Sequence, residues 1–182
     1  LDDSCDIAAV NLPGSCVISG TTEAIENARA LFESHGVESH RLHISVAAHS
    51  RLVEPILRSF REFLETLTLG VPQIPFLSNT TGTWITDREA QDPAYWTNQL
   101  RQTVRFAEGV RSLFDDPLRV LVEVGPGSAL TSVVRQHPHM SGGQSVFPTL
   151  PHALEEGQSS VATVLTGLGR LWIEGVPVDW KA

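Results

Sequence analysis

Residues 7–19, IAAVNLPGSCVIS, contain two short apolar runs on either side of a strong turn signal. Ile7–Val10 and Ser15–Ser19 are rich in residues that favour strands, and the connection between them contains Pro13-Gly14. This pattern predicts a β-hairpin at the start of the fold.

One helix is predicted after the hairpin and a second after residues 45–50. Thr21-Thr22-Glu23 supplies a hydroxyl cap and an early acid, and Gly36 ends the first helix, whose apolar face is Ile25, Ala28, Leu31 and Phe32. Residues 37–45 should be extended. The second helix has Pro55 in its first two turns and an apolar repeat of Leu52, Ile56, Phe60, Phe63, Leu64 and Leu67. Two β elements and two helices in this order suggest an α+β unit of split βαβ type.

Strands and helices are also predicted to alternate in the rest of the chain. Strands are predicted at 74–78 and 120–124, and helices after Asp92-Pro93 and over 128–136. The continuous apolar run at 120–124 is typical of a strand buried on both faces of a parallel sheet. Residues 137–160 have the composition of a linker. A last amphipathic helix should pack through Leu165, Leu168, Leu171 and Trp172.

Composition excludes several classes of function. The 182 residues suit about one domain, and a formal charge of −8 argues against a nucleic-acid partner. The absence of an apolar run near 20 residues argues against a membrane partner, and no signal peptide is recognised at the first residues. Cys5 and Cys16 are the only cysteines. Cys16 should face Asn11, with Cys5 beyond the paired residues, so we expect no disulfide and a reducing, cytoplasmic location.

His49 ends the stretch SVAAHS, residues 45–50, where the extended run turns into a helix. Such a histidine can be a catalytic base or can merely cap a turn. Two other histidine pairs could be imagined as metal ligands, namely His40 with His43 and His137 with His139. No third ligand stands at a recognisable spacing, so solvated surface histidines are expected and no metal site is predicted.

Several motifs in order resemble the acyltransferase domains of modular, type I polyketide synthases. They are Ser45–Ser50 with Glu54–Leu57, Pro75–Asn79, Asp92–Trp96, Leu100–Phe106, Glu123–Gly127, and Leu168–Trp172 with Val178–Trp180. The resemblance implies an α/β fold: a ferredoxin-like, α+β small subdomain at 1–72, then the C-terminal part of an α/β-hydrolase-like large subdomain at 73–147. A post-acyltransferase linker with a helix follows at 148–182.

The family's nucleophilic serine lies in Gly-His-Ser-x-Gly, and this sequence does not occur in the chain. The chain also begins without methionine. The resemblance therefore implies the C-terminal half of such a domain, whose partners are the missing N-terminal half, an acyl carrier protein and the ketosynthase domain of the same synthase. By itself the chain is expected to be inactive.

The resemblance also assigns roles to individual residues. His49 matches the general base, and Val46, Ala47 and Ala48 match positions that select the acyl group. Tyr95 is expected to supply a backbone carbonyl that orients His49, and Asn79 to support the site. The substrate is a coenzyme A thioester of malonyl type, with no bound cofactor. The small Ala48 favours an α-substituted unit, methylmalonyl first.

Other interpretations remain open at this point. Gly125-Pro126-Gly127 follows a strand, as a dinucleotide-binding loop would, but the third glycine is absent and a structural turn is favoured. A non-catalytic module that holds neighbouring synthase domains in register is a second hypothesis. A free-standing hydrolase is disfavoured, because it would need its own nucleophile. Arg51, Arg58 and Arg61 could contact an acidic carrier protein or form a solvated face.

Overall fold

The structure is a computed structural model that describes residues 5–42, 44, 46–152, 157 and 159–181. It divides into two compact units, the first ending at Ser112 and the second beginning at Leu113. Each unit combines helices with a small sheet, so the predicted α/β class is confirmed. The proposed boundaries at 72/73 and 147/148 stay predictions.

Unit 1 begins with the predicted hairpin, in which β1, Cys5–Leu12, pairs antiparallel with β2, Ser15–Gly20. The other edge of β1 pairs with one later residue, Val104. The Val104 carbonyl accepts from the N–H of Val10 at 2.8 Å, and its N–H donates to the carbonyl of Ala8 at 2.8 Å. The start of the chain therefore fixes a segment that lies far away in sequence.

The predicted register of the hairpin was wrong by one residue. Val10 stands opposite Cys16, and Cys5 lies inside the ladder opposite Gly20, because the pairing contains two irregularities that a regular turn model ignores. Cys5 is buried and Cys16 exposed, and both are thiols.

The first helix, α1, spans Thr22–Ser34 and begins as predicted, since the hydroxyl of Thr21 accepts from the N–H of Ala24 at 3.2 Å. Ala24 and Ala28 pack on the hairpin, whereas Leu31 is half exposed. The prediction that Leu31 lies on the packed face was wrong. The helix packs through small alanines, which let it approach the hairpin closely. Among residues 37–42 and 44 of the predicted extended run none joins a strand; residues 43 and 45 lie outside the described residues.

A 3₁₀ turn, Arg51–Val53, leads into α2, Glu54–Leu64, with Pro55 in the first turn as predicted. Leu64 is buried. Most of the predicted apolar stripe is not: the exposed fraction lies between 45% and 58% for Leu52, Ile56, Phe63 and Leu67.

The predicted strand at 74–78 is reduced to a single bridge between Leu77 and Trp84. The chain reverses too soon for a longer ladder, since the N–H of Ser78 donates to the carbonyl of Thr83 and the N–H of Gly82 to that of Ser78, both at 2.8 Å. Three helices follow this turn: α3, Asp87–Ala90; α4, Pro93–Arg101; and α5, Phe106–Leu113.

Unit 2 contains a parallel pair of strands, β3, Leu121–Pro126, and β4, Val146–Leu150, connected through α6, Ala129–Arg135. The sequence predicted that 120–124 lies in a parallel sheet, and it does, but the predicted burial of both faces was wrong, since Val124 is 87% exposed. The linker prediction for 137–160 was wrong over β4. Residues 153–156 and 158 of that range lie outside the described residues.

The final helix, α7, Ser160–Ile173, packs on β4, and the predicted stripe is only partly covered, with Leu168 and Leu171 half-buried. Gly167 is its buried residue and lies against the ring of Phe147, which is almost fully buried. Leu165 and Trp172 are exposed. Gly167 has no side chain, and this allows the helix to approach the Phe147 ring closely.

Glu123 of β3 holds the start of α6. Its carboxylate accepts from the N–H of Thr131 at 2.7 Å and of Leu130 at 3.1 Å. Burial alone would raise the pKa of Glu123, but hydrogen bonds from Thr131 and Leu130 outweigh it and lower the pKa. A dinucleotide phosphate would need these same N–H groups at the helix start, and Glu123 already occupies them. This supports the interpretation of Gly125–Gly127 as a structural turn.

The described residues include no group of three His, Cys, Asp or Glu side chains placed to hold a metal ion. His137 is nevertheless not a surface residue as expected: it is buried and its ring lies 5.3 Å from that of Phe114. His43 lies outside the described residues. No helix in the described part of the chain has the length and apolar character needed to cross a membrane.

Gly82→Ala should destabilise unit 1 strongly. Gly82 has a φ of 69°, and an added Cβ would lie 2.6 Å from the Cβ of Glu108. Left-handed strain and overpacking together should cost about 2–4 kcal/mol. Gly36→Ala is a matched control, because Gly36 has the same φ of 69° in open space and should cost only about 1 kcal/mol. Urea unfolding of both variants measures the difference; equal losses would contradict the clash.

Glu123→Gln should destabilise unit 2 at neutral pH by about 1–2 kcal/mol, since a neutral amide accepts more weakly from the two N–H groups. The folded-state pKa of Glu123 is lowered, so its stabilisation is complete above the unfolded-state pKa. It disappears as the pH falls through the folded-state pKa. The difference between wild type and variant should therefore shrink in acid, which unfolding curves across pH will test. The exposed Asp115→Asn is the control in the same unit; a pH-independent difference would contradict the argument.

Candidate active site

His49 has a strained backbone. Its φ is 57°, and it is the one non-glycine with positive φ among the described residues. A histidine in this left-handed backbone region costs on the order of 1–3 kcal/mol and persists only when its surroundings hold it there. Such backbone outliers cluster at functional sites. The strain therefore supports, independently of the sequence, the choice of His49 as a candidate site residue.

The turn around His49 is held by hydrogen bonds on both sides. The N–H of His49 donates to the carbonyl of Leu100 at 3.2 Å. Ser50, which is fully buried, donates its hydroxyl to the carbonyl of Ala47 at 2.8 Å and caps the following turn by accepting from the N–H of Leu52. The small residues before His49 therefore close a compact loop, with no regular strand.

The imidazole is oriented by one backbone carbonyl. Nδ1 of His49 lies 2.9 Å from the carbonyl oxygen of Gln102. A carbonyl can only accept, so Nδ1 carries the proton and Nε2 of the neutral ring keeps its lone pair. The prediction that Tyr95 supplies this carbonyl was wrong. Gln102 follows α4 directly, whereas Tyr95 lies in its first turns, where backbone carbonyls accept within the helix.

The segment 101–105 is anchored on two sides. The hydroxyl of Thr103 donates to the carbonyl of Ile7 at 2.6 Å, next to the pairing of Val104 with β1. The N–H of Arg105 donates to the carbonyl of Asn79 at 2.8 Å. Asn79 thus supports the segment that carries the Gln102 carbonyl, and it does so through its backbone.

Tyr95 acts through its hydroxyl, which donates to the hydroxyl of Ser78 at 2.7 Å. Ser78 is buried and also accepts from the N–H groups of Thr80 and Thr81. Tyr95 therefore fixes the turn that contains Asn79. Sequence reasoning missed Ser78, although a small polar residue before an Asn-Thr-Thr-Gly turn is a known signal for local capping.

Asp6 of β1 joins the two segments around the imidazole. Its Oδ2 accepts from the backbone N–H of Arg51 at 2.8 Å and from Arg51 Nε at 3.1 Å, and its Oδ1 lies 3.3 Å from Arg101 Nη2. Arg101 also donates from Nε to Glu54 at 2.9 Å. Burial would raise the pKa of Asp6, but the Arg51 hydrogen bonds and the charges of Arg101 and Arg51 lower it. Sequence analysis did not single out Asp6; its only signal was an acid inside an apolar strand.

The three residues before His49 differ in exposure. Val46 is 65% exposed, whereas Ala47 and Ala48 are half-buried. All three precede His49 directly in the same loop, and their role in selecting the acyl group stays a prediction.

A polar cleft of about 380 Å³ occurs in unit 2 and is lined by residues of that unit. Its walls include Arg135, Arg170 and several hydroxyl groups, but the guanidinium of Arg135 donates to the carbonyl of Val146 at 2.6 Å and that of Arg170 lies over the Phe147 ring. These arginines are engaged within the fold, so the constellation around His49 is the stronger candidate.

Relatives of known type match almost the whole chain. Residues 1–177 match the family described as "Acyl transferase domain". The chain is 38% identical over 175 residues to one component of the phenolphthiocerol/phthiocerol polyketide synthase of Mycobacterium tuberculosis, covering 96% of the chain and 12% of that protein. It is 34% identical to polyketide synthase GfsA of Streptomyces halstedii, covering 97% of the chain and 2% of that protein.

Solved structures agree with this match. The acyl transferase domain of SpnD, in complex with 2-(pent-4-yn-1-yl)malonyl, is 42% identical with a TM-score of 0.88, over 97% of this chain and 43% of that one. The acyltransferase domain from the second module of the salinomycin polyketide synthase is 35% identical with a TM-score of 0.87, over 99% and 41%. This chain therefore spans less than half of each of these two solved domains.

Family match, sequence identity and fold agree, and the chain belongs to the acyl transferase domain family, with the acyltransferase domains of modular polyketide synthases as its homologues.

Proposed function

We propose that the chain forms part of a domain that moves a malonyl-type extender unit from coenzyme A to an acyl carrier protein. The observation that carries the proposal is the contact between His49 Nδ1 and the Gln102 carbonyl, which leaves Nε2 as a base. A serine hydroxyl is a weak nucleophile at neutral pH and needs such a base beside it.

In this mechanism Nε2 of His49 takes the proton of the serine as its oxygen attacks the thioester carbonyl. The carbon–sulfur bond then breaks, and the thiolate of coenzyme A leaves with the proton from the imidazolium. The thiol of the carrier's phosphopantetheine arm next gives its proton to Nε2 and attacks the acyl ester. The bond to the serine oxygen breaks, and the serine recovers its proton.

The serine of this mechanism lies outside the chain, because no Gly-His-Ser-x-Gly occurs within the 182 residues. We propose that the N-terminal half of the same acyltransferase supplies it and that the chain by itself forms no acyl-enzyme. The exposed apolar side chains on and beside α2, among them Leu52, Ile56 and Phe63, support such a partner, since apolar faces of this kind normally pack against other protein.

The carrier protein and the ketosynthase are partners implied by the family, whose members named above are polyketide synthases. The surface arginines of α2 give the carrier proposal little support. Arg58 pairs with Glu62 and Arg61 with Glu65, each at 2.9 Å, so their charges are already balanced. Arg51 is engaged by Asp6.

His49→Ala in the complete domain should slow acyl-enzyme formation by about 10²–10⁴-fold, the usual contribution of a general base. This corresponds to about 3–5 kcal/mol of transition-state stabilisation. Rapid-quench measurement of label transferred from acyl-coenzyme A to the serine gives the rate. His40→Ala is the control, because its side chain is 81% exposed in the same unit and should not change the rate. A His49→Ala variant with near-normal transfer would remove His49 from the mechanism.

We further propose that the domain accepts an α-substituted extender unit, with methylmalonyl first. Ala48 presents only a methyl group at the position before His49, where a larger side chain would crowd the carbon next to the thioester. The SpnD domain, described in complex with a malonyl unit that carries a pentynyl branch, is 42% identical to this chain and supports the idea by similarity.

Ala48→Phe should shift the preference of the complete domain towards malonyl by about tenfold or more, because lost pocket space of this kind is worth about 1–3 kcal/mol. Competition between malonyl- and methylmalonyl-coenzyme A measures the ratio of the two products. Ala48→Gly keeps the space and serves as the control that should retain the wild-type preference. A wild-type preference for malonyl that is unchanged in Ala48→Phe would contradict the assignment.

A further inference from the structure

The Asp6 carboxylate uses both oxygens, and its side chain is only 15% exposed. Oδ2 accepts from the backbone and side chain of Arg51, and Oδ1 is reached by the guanidinium of Arg101. With Glu54 bound to Arg101, the group contains two acids and two arginines and is electrically balanced. Few surface ion pairs have this combination of burial, a backbone donor and two cations.

The positions of the two arginines matter more than their charges. Arg51 follows His49 by two residues, and Arg101 directly precedes Gln102. The one carboxylate therefore fixes both polypeptide segments whose side chain and carbonyl meet in the 2.9 Å contact of the imidazole. Relaxation of Asp6 would weaken the link between these segments and leave the bond from the His49 N–H to the Leu100 carbonyl and the Arg101–Glu54 pair among the remaining contacts.

We propose that Asp6 is a positioning residue for His49: by binding Arg51 and Arg101 together, it holds the imidazole against the Gln102 carbonyl and so keeps the base nitrogen at Nε2. This inference rests on the proposed function of His49. It adds a residue of the first strand, which acts on the imidazole only through Arg51 and Arg101, to the machinery of acyl transfer.

Asn is the informative replacement because it keeps the shape of Asp and removes its charge. Its amide offers one acceptor oxygen and a donor nitrogen where Asp6 offers two acceptor oxygens. One of the N–H donors of Arg51 or Arg101 would then face another donor, and an unsatisfied, partly buried donor drives the segments apart.

The experiment compares Asp6→Asn with wild type in the complete acyltransferase domain by two readouts. The first is ¹⁵N NMR of the histidine side chains, assigned with His49→Ala, in which wild-type His49 should carry its proton on Nδ1. Asp6→Asn should give a mixture of the two tautomers. The second is the rate of acyl-enzyme formation, which should fall about 10- to 100-fold, the scale expected for a small misplacement of a catalytic group, with KM changed less than about twofold.

Glu26→Gln is the matched control. Glu26 also joins two arginines, Arg29 and Arg41, but neither of them flanks His49 or Gln102. This variant should leave tautomer and rate unchanged. If Asp6→Asn does not fold, Arg101→Gln provides the second test, because it retains the bonds of Asp6 with Arg51 and removes the contacts of Arg101 with Asp6 and Glu54. It should shift the tautomer in the same direction.

The outcomes separate this inference from the proposed function. A mixed tautomer and a slowed rate in Asp6→Asn, with Glu26→Gln unchanged, support the inference. An unchanged His49 tautomer in a folded Asp6→Asn or Arg101→Gln variant overturns it, even if His49→Ala is inactive. If His49→Ala is fully active, the proposed role of His49 as the base fails, and the NMR readout still decides whether Asp6 orients the ring.

Discussion

One partly buried carboxylate organises unit 1 around its candidate site. Asp6 lies on the first strand, and its partners lie at the start of the second helical region and at the end of α4. A carboxylate can satisfy several donors at once and in different directions, which an apolar contact cannot. The hairpin, the His49 turn and the Gln102 segment are therefore fixed to each other by polar geometry, with little help from a large apolar core.

This arrangement allows the strain at His49. A left-handed histidine persists only if neighbouring bonds over-determine its conformation. Here His49 is held through its own N–H and through its ring, and the next residue, the buried Ser50, caps the following turn. Arg51, two residues after His49, is bound by Asp6. The turn can thus present the imidazole away from regular structure and still define its orientation.

Local features of the fold could be predicted from the sequence, and long-range ones could not. The hairpin, the Thr21 cap, the position of Pro55 and the helix after Gly127 follow from short-range rules and were confirmed. Leu31 and Trp172 were assigned to packed faces because they are apolar, yet the close approaches use Ala24, Ala28 and Gly167. Strand β4 was missed because its few apolar residues, with Pro148 among them, lie in a run rich in turn formers.

The candidate site shows the same division most clearly. His49 could be singled out because its side chain stands in a stretch that resembles a family motif, but the group that orients it is the backbone carbonyl of Gln102, and any residue carries a carbonyl. Unlike a carboxylate, a neutral carbonyl forms the weaker kind of hydrogen bond and does not add a full charge beside the ring. The orientation of the imidazole therefore depends on the contacts that fix the position of residue 102, and its side chain matters little. In this chain that means Arg101 on Asp6, Val104 on β1 and Arg105 on Asn79, so selection for orientation should act on these contacts more than on Gln102.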